Sequence, residues 1–178
     1  MNKNVIMLAY RVASEAHRGQ YRKYNGGQQP YILHPYRVAG LVASHPMSTE
    51  NMVAAAALHD TFEDSGYDEE TLFEAGLYNP IPEYVRMLTN PSKQAKDKSR
   101  AERKAMDRDH LKSMPWEVKL IKLADRLDNI LDMNGCPDAP KEFDILYRAE
   151  TVLLYRVLAG TDVDLERRLV AAVERVKL

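Results

Sequence analysis

The stretch His59-Asp60-Thr61-Phe62-Glu63-Asp64 decides the fold, because an apolar segment leads directly into a cluster of ionisable side chains. The preceding residues 53–58 are four alanines framed by a valine and a leucine. Small apolar side chains let a helix lie close against its neighbours. We therefore predict a buried helix over residues 50–59 whose C-terminal end opens into a pocket.

One imidazole and three carboxylates lie within the six residues of this stretch. Unpaired charges that leave water cost several kcal/mol, so a cation is expected beside them. Neutral imidazole and carboxylate together suit Mn, Fe or Zn rather than an all-oxygen Ca or Mg site. Adjacent residues of a helix point about 100° apart, so His59 and Asp60 can reach one metal only at a helix end. The alternative is a core histidine beside an ordinary acidic loop.

Length and composition favour one domain covering residues 1–178. The charged fraction is 29% and the formal net charge is −1, so no overall field favours nucleic acid. No signal peptide or membrane-length apolar run is recognisable, and the single cysteine excludes an internal disulfide. We expect a cytoplasmic protein that binds neither nucleic acid nor membrane.

Helical spacing of apolar residues recurs along the whole chain, and no strand-like alternation or internal repeat is visible. Prolines and glycines separate the periodic segments. The candidate N-caps are Ser48 or Thr49, Asp68, and Asp162 or Asp164. The first helix is expected over residues 4–17, the strongest one begins at Pro115, and a long one covers residues 142–159. The fold class is therefore predicted to be all-α, a bundle of about eight to ten helices.

Three further polar residues, two of them ionisable, lie where helices should bury them. His34 precedes Pro35 at the start of the second helix, and Asp125 and Asn129 interrupt the apolar stripe of the helix after Pro115. Asp125 and Asn129 are four residues apart and so share a helical face. His45 is followed by a proline in a probable loop, which we interpret as a structural or exposed position. The candidate metal ligands are therefore His34, His59, Asp60 and Asp125.

Two basic segments have alternative interpretations. Residues 18–27 mix cations with tyrosines and glycines, which fits either a solvated turn or the wall of a pocket for an anionic, ring-bearing ligand. Residues 93–112 alternate bases with acids. Such a run is usually a solvated helix face, although a subset could face a phosphate-filled pocket.

The order His34, His59-Asp60, Asp125 resembles the HD phosphohydrolase superfamily. Four longer motifs resemble its alarmone hydrolase branch, which comprises the hydrolase domain of bifunctional stringent-response enzymes and the stand-alone small alarmone hydrolases. These motifs are Gln20-x-Arg22-Lys23, Pro30-Tyr31-Ile32-x-His34-Pro35, His59-Asp60-Thr61-x-Glu63-Asp64 and Lys122-Leu123-Ala124-Asp125-Arg126-Leu127-x-Asn129. The likeness extends over about residues 7–150, most of the chain.

The resemblance implies an HD-domain helical bundle, Mn²⁺, and removal of the 3′-pyrophosphate from guanosine tetra- and pentaphosphate. It also implies roles for individual residues. The metal ligands would be His34, His59, Asp60 and Asp125, and the water-activating pair Glu63 and Asp64. The substrate-binding residues would be Arg22 and Lys23 at the base, Asn129 and Tyr147 at the sugar, and Arg100 at a phosphate.

The chain departs from the family pattern at three places. Asp128 stands where the bifunctional enzymes usually carry histidine, Asp132 resembles the stand-alone group instead, and the loop at residues 26–29 is slightly long. No synthetase segment follows, so we expect no synthesis by this chain. Alternative functions are hydrolysis of another phosphorylated nucleotide, such as an adenosine alarmone or a phosphorylated dinucleotide, and a non-catalytic, antitoxin-like nucleotide-binding module. The sequence leaves the oligomeric state open.

Overall fold

The computed structural model describes residues 4–23, 27–136 and 140–175, and its regular elements are helices. In chain order they are α1 (Val5–Ala16), α2 (Leu33–Ala43), α3 (Glu50–Leu58), α4 (Thr61–Asp64), α5 (Glu69–Glu74), α6 (Ile81–Leu88), a short 3-10 helix (Pro91–Gln94), α7 (Arg100–Lys112), α8 (Trp116–Asn134), α9 (Lys141–Leu158) and α10 (Val163–Glu174). An isolated bridge pairs Tyr21 with Pro30, and no strand occurs in the described ranges.

Local sequence sets several of the helix ends. The side chains of Thr49, Asp68 and Asp162 each accept a hydrogen bond from a backbone N–H in the first turn of α3, α5 and α10. These caps satisfy amide groups that have no partner within the helix. After α5, Gly76 adopts φ +89°, a left-handed conformation that a glycine adopts without strain. The predicted cap Asp68 is confirmed, and of the two alternatives at each of the other helices Thr49 and Asp162 are the residues that cap.

Helix α3 is the buried centre of the N-terminal half. Its residues 54–57 are alanines with no exposed surface, and α3 packs against α1, α2 and α6. Larger side chains at these positions would push the surrounding helices apart, so the alanine run permits the close packing. The predicted buried helix is confirmed, and its C-terminal end points His59 into the interior, where only 2% of that residue is exposed.

Helix α8 is the second buried axis of the fold. It packs against α2 and α10, and its apolar face is fully buried at Leu120, Leu123 and Leu127. Since α2 lies against both α3 and α8, the start of α2 and the end of α3 meet the middle of α8. This arrangement brings together ionisable residues that are far apart in the sequence.

The all-α class is confirmed in the described ranges, and single-domain organisation stays a prediction. None of the helices in the described ranges combines the length and the apolar character that crossing a membrane requires. Parts of three sequence predictions fall outside the described residues: the basic loop at residues 24–26, the chain break at Pro137, and the end of the last helix at Lys177.

Candidate metal and nucleotide site

A break between two helices makes neighbouring side chains converge. Helix α3 ends at Leu58 and α4 begins at Thr61, so His59 caps one helix and Asp60 precedes the other. The Nε2 atom of His59 and the Oδ2 atom of Asp60 lie 3.0 Å apart. In an unbroken helix these side chains would diverge by about 100°. The expectation that both reach one point only at a helix end agrees with this geometry.

Two further ionisable side chains meet this pair from α2 and α8. The Nε2 atom of His34 lies 3.5 Å from Oδ2 of Asp60 and 3.3 Å from Oδ1 of Asp125. The Nε2 atom of His59 lies 3.7 Å from the same Asp125 oxygen. His34, His59 and Asp125 are all buried and offer ligand atoms within 4.8 Å of one another. The fourth candidate ligand, Asp60, contacts both imidazoles through its Oδ2 atom.

The hydrogen bonds of His59 test whether these residues suit a metal. Its Nδ1 lies 2.8 Å from the carbonyl oxygen of Ala56, which can only accept, so Nδ1 carries the proton and donates. Its Nε2 is buried and has no hydrogen-bond partner of acceptable geometry among the described residues. Such a nitrogen, aimed at two carboxylates, is what a metal ligand needs. Two imidazoles with two carboxylates fit a divalent transition metal.

The charges of the cluster lead to the same conclusion. Burial opposes protonation of His34, but hydrogen bonds with Asp125, Asp128 and Asp60 raise its pKa to about 9. Burial likewise opposes protonation of His59, but the negative charge of Asp60, together with the contacts and charge of Asp125, outweighs it and raises the pKa to about 10. Without a metal, protons on the imidazoles and the ammonium of Lys122, which lies 2.9 Å from Oδ2 of Asp125, balance the two carboxylates. A divalent cation would supply the same positive charge.

Further hydrogen bonds orient the candidate ligands. The Nδ1 atom of His34 donates to Oδ2 of Asp128 at 2.6 Å, and the hydroxyl of Tyr31 donates to Oδ2 of Asp60 at 2.6 Å. Burial, and then the negative charge of Asp60, raise the pKa of Tyr31, so its hydroxyl stays a donor. Partners of this kind fix the orientation of a metal-ligating side chain.

Glu63 and Asp64 lie on α4 beside the cluster rather than in it. Lys93 places its Nζ 3.2 Å from Oε2 of Glu63 and 3.2 Å from Oδ1 of Asp64. Glu63 also accepts two hydrogen bonds from Asn90. Both carboxylates line the same cavity, which fits the expected position of groups that act on water beside a metal.

The cavity has a volume of about 670 Å³, a size typical of small-molecule sites. Six residues that the sequence singled out line it: Arg22, Lys23, Glu63, Asp64, Asn129 and Tyr147. Two lining residues touch candidate ligands directly. Tyr31 bonds to Asp60, and the Nδ2 atom of Asn129 donates to Oδ1 of Asp125 at 2.6 Å. The cavity therefore lies against the metal-ligand cluster.

Arg100 differs from the other predicted substrate-binding residues. It is not among the residues that line the cavity, and its guanidinium donates to both oxygens of Glu150, at 2.6 and 2.9 Å. Lys104, four residues further along α7, lines the cavity instead. The charged run over residues 93–112 is thus mostly a polar surface, from which Lys93 and Lys104 reach the cavity. A role for Arg100 at a phosphate stays a prediction.

Several residues of the site were given no role by the sequence, among them Asp128, Arg37, Asn90 and Tyr31. A signal existed for Asp128, since it lies three residues from Asp125 on the apolar stripe of α8, and the structure leaves it only 4% exposed. Arg37 lies in the middle of α2 and Asn90 precedes the 3-10 helix, and nothing in the sequence predicts their partners. His45, interpreted as structural or exposed, places its Nε2 3.2 Å from Oδ2 of Asp162 and lies against the ring of Trp116.

Known proteins resemble this chain in sequence and in structure. The HD domain family model matches residues 9–162. Guanosine-3′,5′-bis(diphosphate) 3′-pyrophosphohydrolase MESH1 of Danio rerio is 35% identical over 74% of this chain and 71% of its own length. MESH1 of Homo sapiens is 34% identical over 92% of this chain and 90% of its own length.

A solved structure of a metazoan ortholog of SpoT, described as hydrolysing ppGpp, superposes with a TM-score of 0.83 at 27% identity. The match covers 97% of this chain and 95% of that one. The helix order, the His-His-Asp cluster and the sequence matches agree with one another. The chain therefore belongs to the HD domain family, within the group of the MESH1 pyrophosphohydrolases.

Proposed function

We propose that the chain hydrolyses the 3′-pyrophosphate of guanosine tetra- and pentaphosphate alarmones, releasing pyrophosphate and GDP or GTP. One observation carries this proposal: the buried group of His34, His59 and Asp125, with the partly buried Asp60 in contact with both imidazoles, adjoins a nucleotide-sized cavity that Glu63 and Asp64 line. The MESH1 relatives, whose names state this reaction, support the choice of substrate.

We propose that the metal is Mn²⁺ and that His34, His59, Asp60 and Asp125 hold it. The mixed nitrogen and oxygen donors support a borderline metal over Ca²⁺ or Mg²⁺. When bound, a divalent metal lowers the pKa of water and polarises a phosphoryl oxygen. Asp60 keeps one oxygen engaged by Tyr31, so this hydrogen bond fixes the carboxylate in the orientation that faces both imidazoles.

Glu63 and Asp64 act on the attacking water. One carboxylate accepts a proton from the water and the other orients it, as the water oxygen bonds to phosphorus and the bond to the ribose 3′ oxygen breaks. Lys93 and Asn90 hold Glu63 in place, which leaves its carboxylate pre-oriented before the substrate arrives. General acid–base catalysis of this kind typically contributes about 10²–10⁴-fold to the rate.

The nucleotide occupies the cavity with its base near Arg22 and its phosphates near the lysines. A guanidinium stacks on a base as well as pairing with phosphate, which supports Arg22 for the base. Lys23, Lys93 and Lys104 line the same cavity and suit the negative charge of the phosphates. Asn129 and Tyr147 line the side expected to hold the sugar.

A panel of nucleotides, tested with and without Mn²⁺, examines the proposal. We expect release of pyrophosphate from guanosine tetraphosphate that depends on added metal and disappears with a chelator. Faster turnover of an adenosine alarmone or a phosphorylated dinucleotide would favour the alternative substrates. Binding without turnover of any compound would favour the non-catalytic module. A cytoplasmic location, suggested by the single cysteine, belongs to the proposal as well.

A further inference from the structure

A chain of charged side chains leads away from the metal cluster along α2 and α8. His34 donates from Nδ1 to Asp128, and Arg37 donates to both oxygens of Asp128, from Nε at 2.6 Å and from Nη2 at 2.9 Å. The Nη2 atom of Arg37 also donates to Oδ1 of Asp132 at 3.2 Å. One arginine thus joins two aspartates that lie four residues apart on the same face of α8.

The chain continues to the base-binding loop and returns to the metal cluster. Asp132 accepts at Oδ2 from Nε of Arg22 at 2.9 Å, and Nη2 of Arg22 donates to Oδ1 of Asn129 at 2.7 Å. Asn129 in turn donates to Asp125, a candidate metal ligand. The closed path of His34, Asp128, Arg37, Asp132, Arg22, Asn129 and Asp125 is called here the coupling network.

Most of this network is shielded from water. The side chains of Arg22 and Asp132 are 10% and 11% exposed, and that of Asp128 is 5% exposed, whereas Arg37 is 37% exposed. Loss of Arg37 would therefore leave Asp128 and Asp132 as buried charges with one partner fewer, which favours the arrangement in which the contacts are kept. An exposed ion pair, by contrast, is screened and breaks at little cost.

The network also fixes the orientation of the Arg22 guanidinium in the cavity. Asp132 and Asn129 hold two of its nitrogens, so the in-plane edge of the guanidinium is engaged within the protein. Its central carbon lies 5.4 Å from the centroid of the Tyr31 ring. What Arg22 offers the cavity is therefore a planar face of fixed orientation, suited to stacking on a base.

We propose that Asp128, Arg37 and Asp132 are positioning residues that couple metal binding at His34 and Asp125 to base binding at Arg22. The inference rests on the proposed function for the identity of both ligands. A bound metal fixes the two ends of the network and so pre-orders Arg22, and a base stacked on Arg22 favours the same arrangement. By linkage, each ligand raises the affinity for the other by the same factor.

The experiment measures the affinity for Mn²⁺ with and without guanosine, and the affinity for guanosine with and without Mn²⁺. Guanosine carries no phosphate, so the strongest direct contact between ligand and metal is removed, and the network variants report on the part of the coupling that passes through the protein. Free Mn²⁺ is followed by electron paramagnetic resonance. We expect a coupling factor of at least about fivefold in the wild-type protein, the lower end for linked sites.

The network predicts specific losses in the variants. Arg37→Met and Asp132→Asn should bring the coupling factor close to one while each protein still binds Mn²⁺. Arg37→Lys should restore only part of it, because an ammonium cannot bridge two carboxylates as a guanidinium does. The matched control is Arg86→Met, since Arg86 forms an exposed pair with Glu69 far from the site, and it should keep the wild-type factor.

Three outcomes would overturn the inference. One is a coupling factor near one in the wild-type protein, and another is an unchanged factor in Arg37→Met, which would make the network purely structural. The third is no binding of guanosine by the metal-loaded wild type. Alarmone hydrolysis by the same preparation is assayed in parallel, so that loss of the proposed function is recognised separately from loss of coupling.

Discussion

Asn90 donates two hydrogen bonds to a single oxygen of Glu63, from its backbone N at 2.6 Å and from its side-chain Nδ2 at 2.8 Å. This contact ties α4 to the segment between α6 and the 3-10 helix. Lys93, from the 3-10 helix itself, reaches the other oxygen of Glu63. A carboxylate held at both oxygens is oriented before any ligand binds, and this pre-orientation is what a group acting on water requires.

Glu63→Gln should lower kcat by about 10²–10⁴-fold, because the amide keeps the shape of the side chain but cannot accept the proton of the attacking water. The metal and the substrate should still bind. Measured metal content, KM and kcat separate the possibilities. Loss of metal would make Glu63 a ligand, and near-normal kcat would show that water is activated without this carboxylate.

Asp125→Ala should abolish both metal content and turnover, since it removes the carboxylate that approaches both His34 and His59. A second readout is independent of activity. A chelator should lower the melting temperature of the wild type, which loses a ligand that binds only the folded state. The same chelator should not change that of Asp125→Ala. The control is Asp109→Ala, which alters an exposed aspartate. Full metal occupancy in Asp125→Ala would contradict the assignment of Asp125 as a metal ligand.

The sequence predicted the helices and the metal cluster for related physical reasons. Helical periodicity of apolar residues predicts which helix face is buried. An imidazole or carboxylate on that face is costly to bury unless a partner compensates its charge or hydrogen bonds. This argument found His59 and Asp125. It could not find the Arg37 and Asp128 pair, which are 91 residues apart in sequence, because only the packing of α2 on α8 brings them together.

Arg100 and Lys104 show that sequence also fails to predict contacts between elements for two residues of one helix. They are four residues apart on α7 and so lie on neighbouring positions of one face. Sequence offers no means of deciding which of the two reaches the cavity. The structure engages Arg100 with Glu150 on α9 and leaves Lys104 to line the cavity, a choice made by the position of α9.

Ala55→Leu should destabilise the protein by about 1–3 kcal/mol, because added methylene groups cannot fit into the packed interior around α3. For a chain of this length, each kcal/mol lowers the melting temperature by about 2–4 °C. Ala101→Leu is the matched control, since Ala101 is exposed on α7 and leucine is a good helix former. Urea unfolding of both variants provides the comparison. Equal stability of the two would contradict close packing of α3.

Arg22→Ala should raise KM by about 5- to 100-fold at saturating metal, the loss expected when a stacking partner of a base is removed. Its kcat should change little, because stacking stabilises the ground state and the transition state alike. Arg18→Ala serves as the control, since Arg18 is an exposed cation of the same segment. An unchanged KM in Arg22→Ala would make the basic loop a solvated turn.

Lys104 should make substrate affinity sensitive to alkaline pH. Burial lowers the pKa of Lys104, and the positive charges of Arg126 and Lys122 lower it further, while Asp107 and Glu150 oppose the shift. The ammonium therefore loses its charge below the ordinary lysine pKa of about 10.4. Its attraction for phosphate is present at neutral pH and is lost as the pH rises through the lowered pKa.

Lys104→Arg tests whether deprotonation of Lys104 causes the loss of substrate affinity at alkaline pH, because a guanidinium keeps its charge throughout that range. We expect KM of the wild type to rise between neutral pH and about pH 10, below the ordinary lysine pKa, and KM of Lys104→Arg to rise less. The matched control is Lys112→Arg, since Lys112 is 64% exposed on the same helix and pairs with Asp109. The dependence of KM on pH in Lys112→Arg should follow that of the wild type. Any effect of pH on the metal or on the substrate itself is thereby measured separately. Identical profiles of wild type and Lys104→Arg would exclude Lys104 as the source of the loss, and the phosphates would then be held by the other cations that line the cavity.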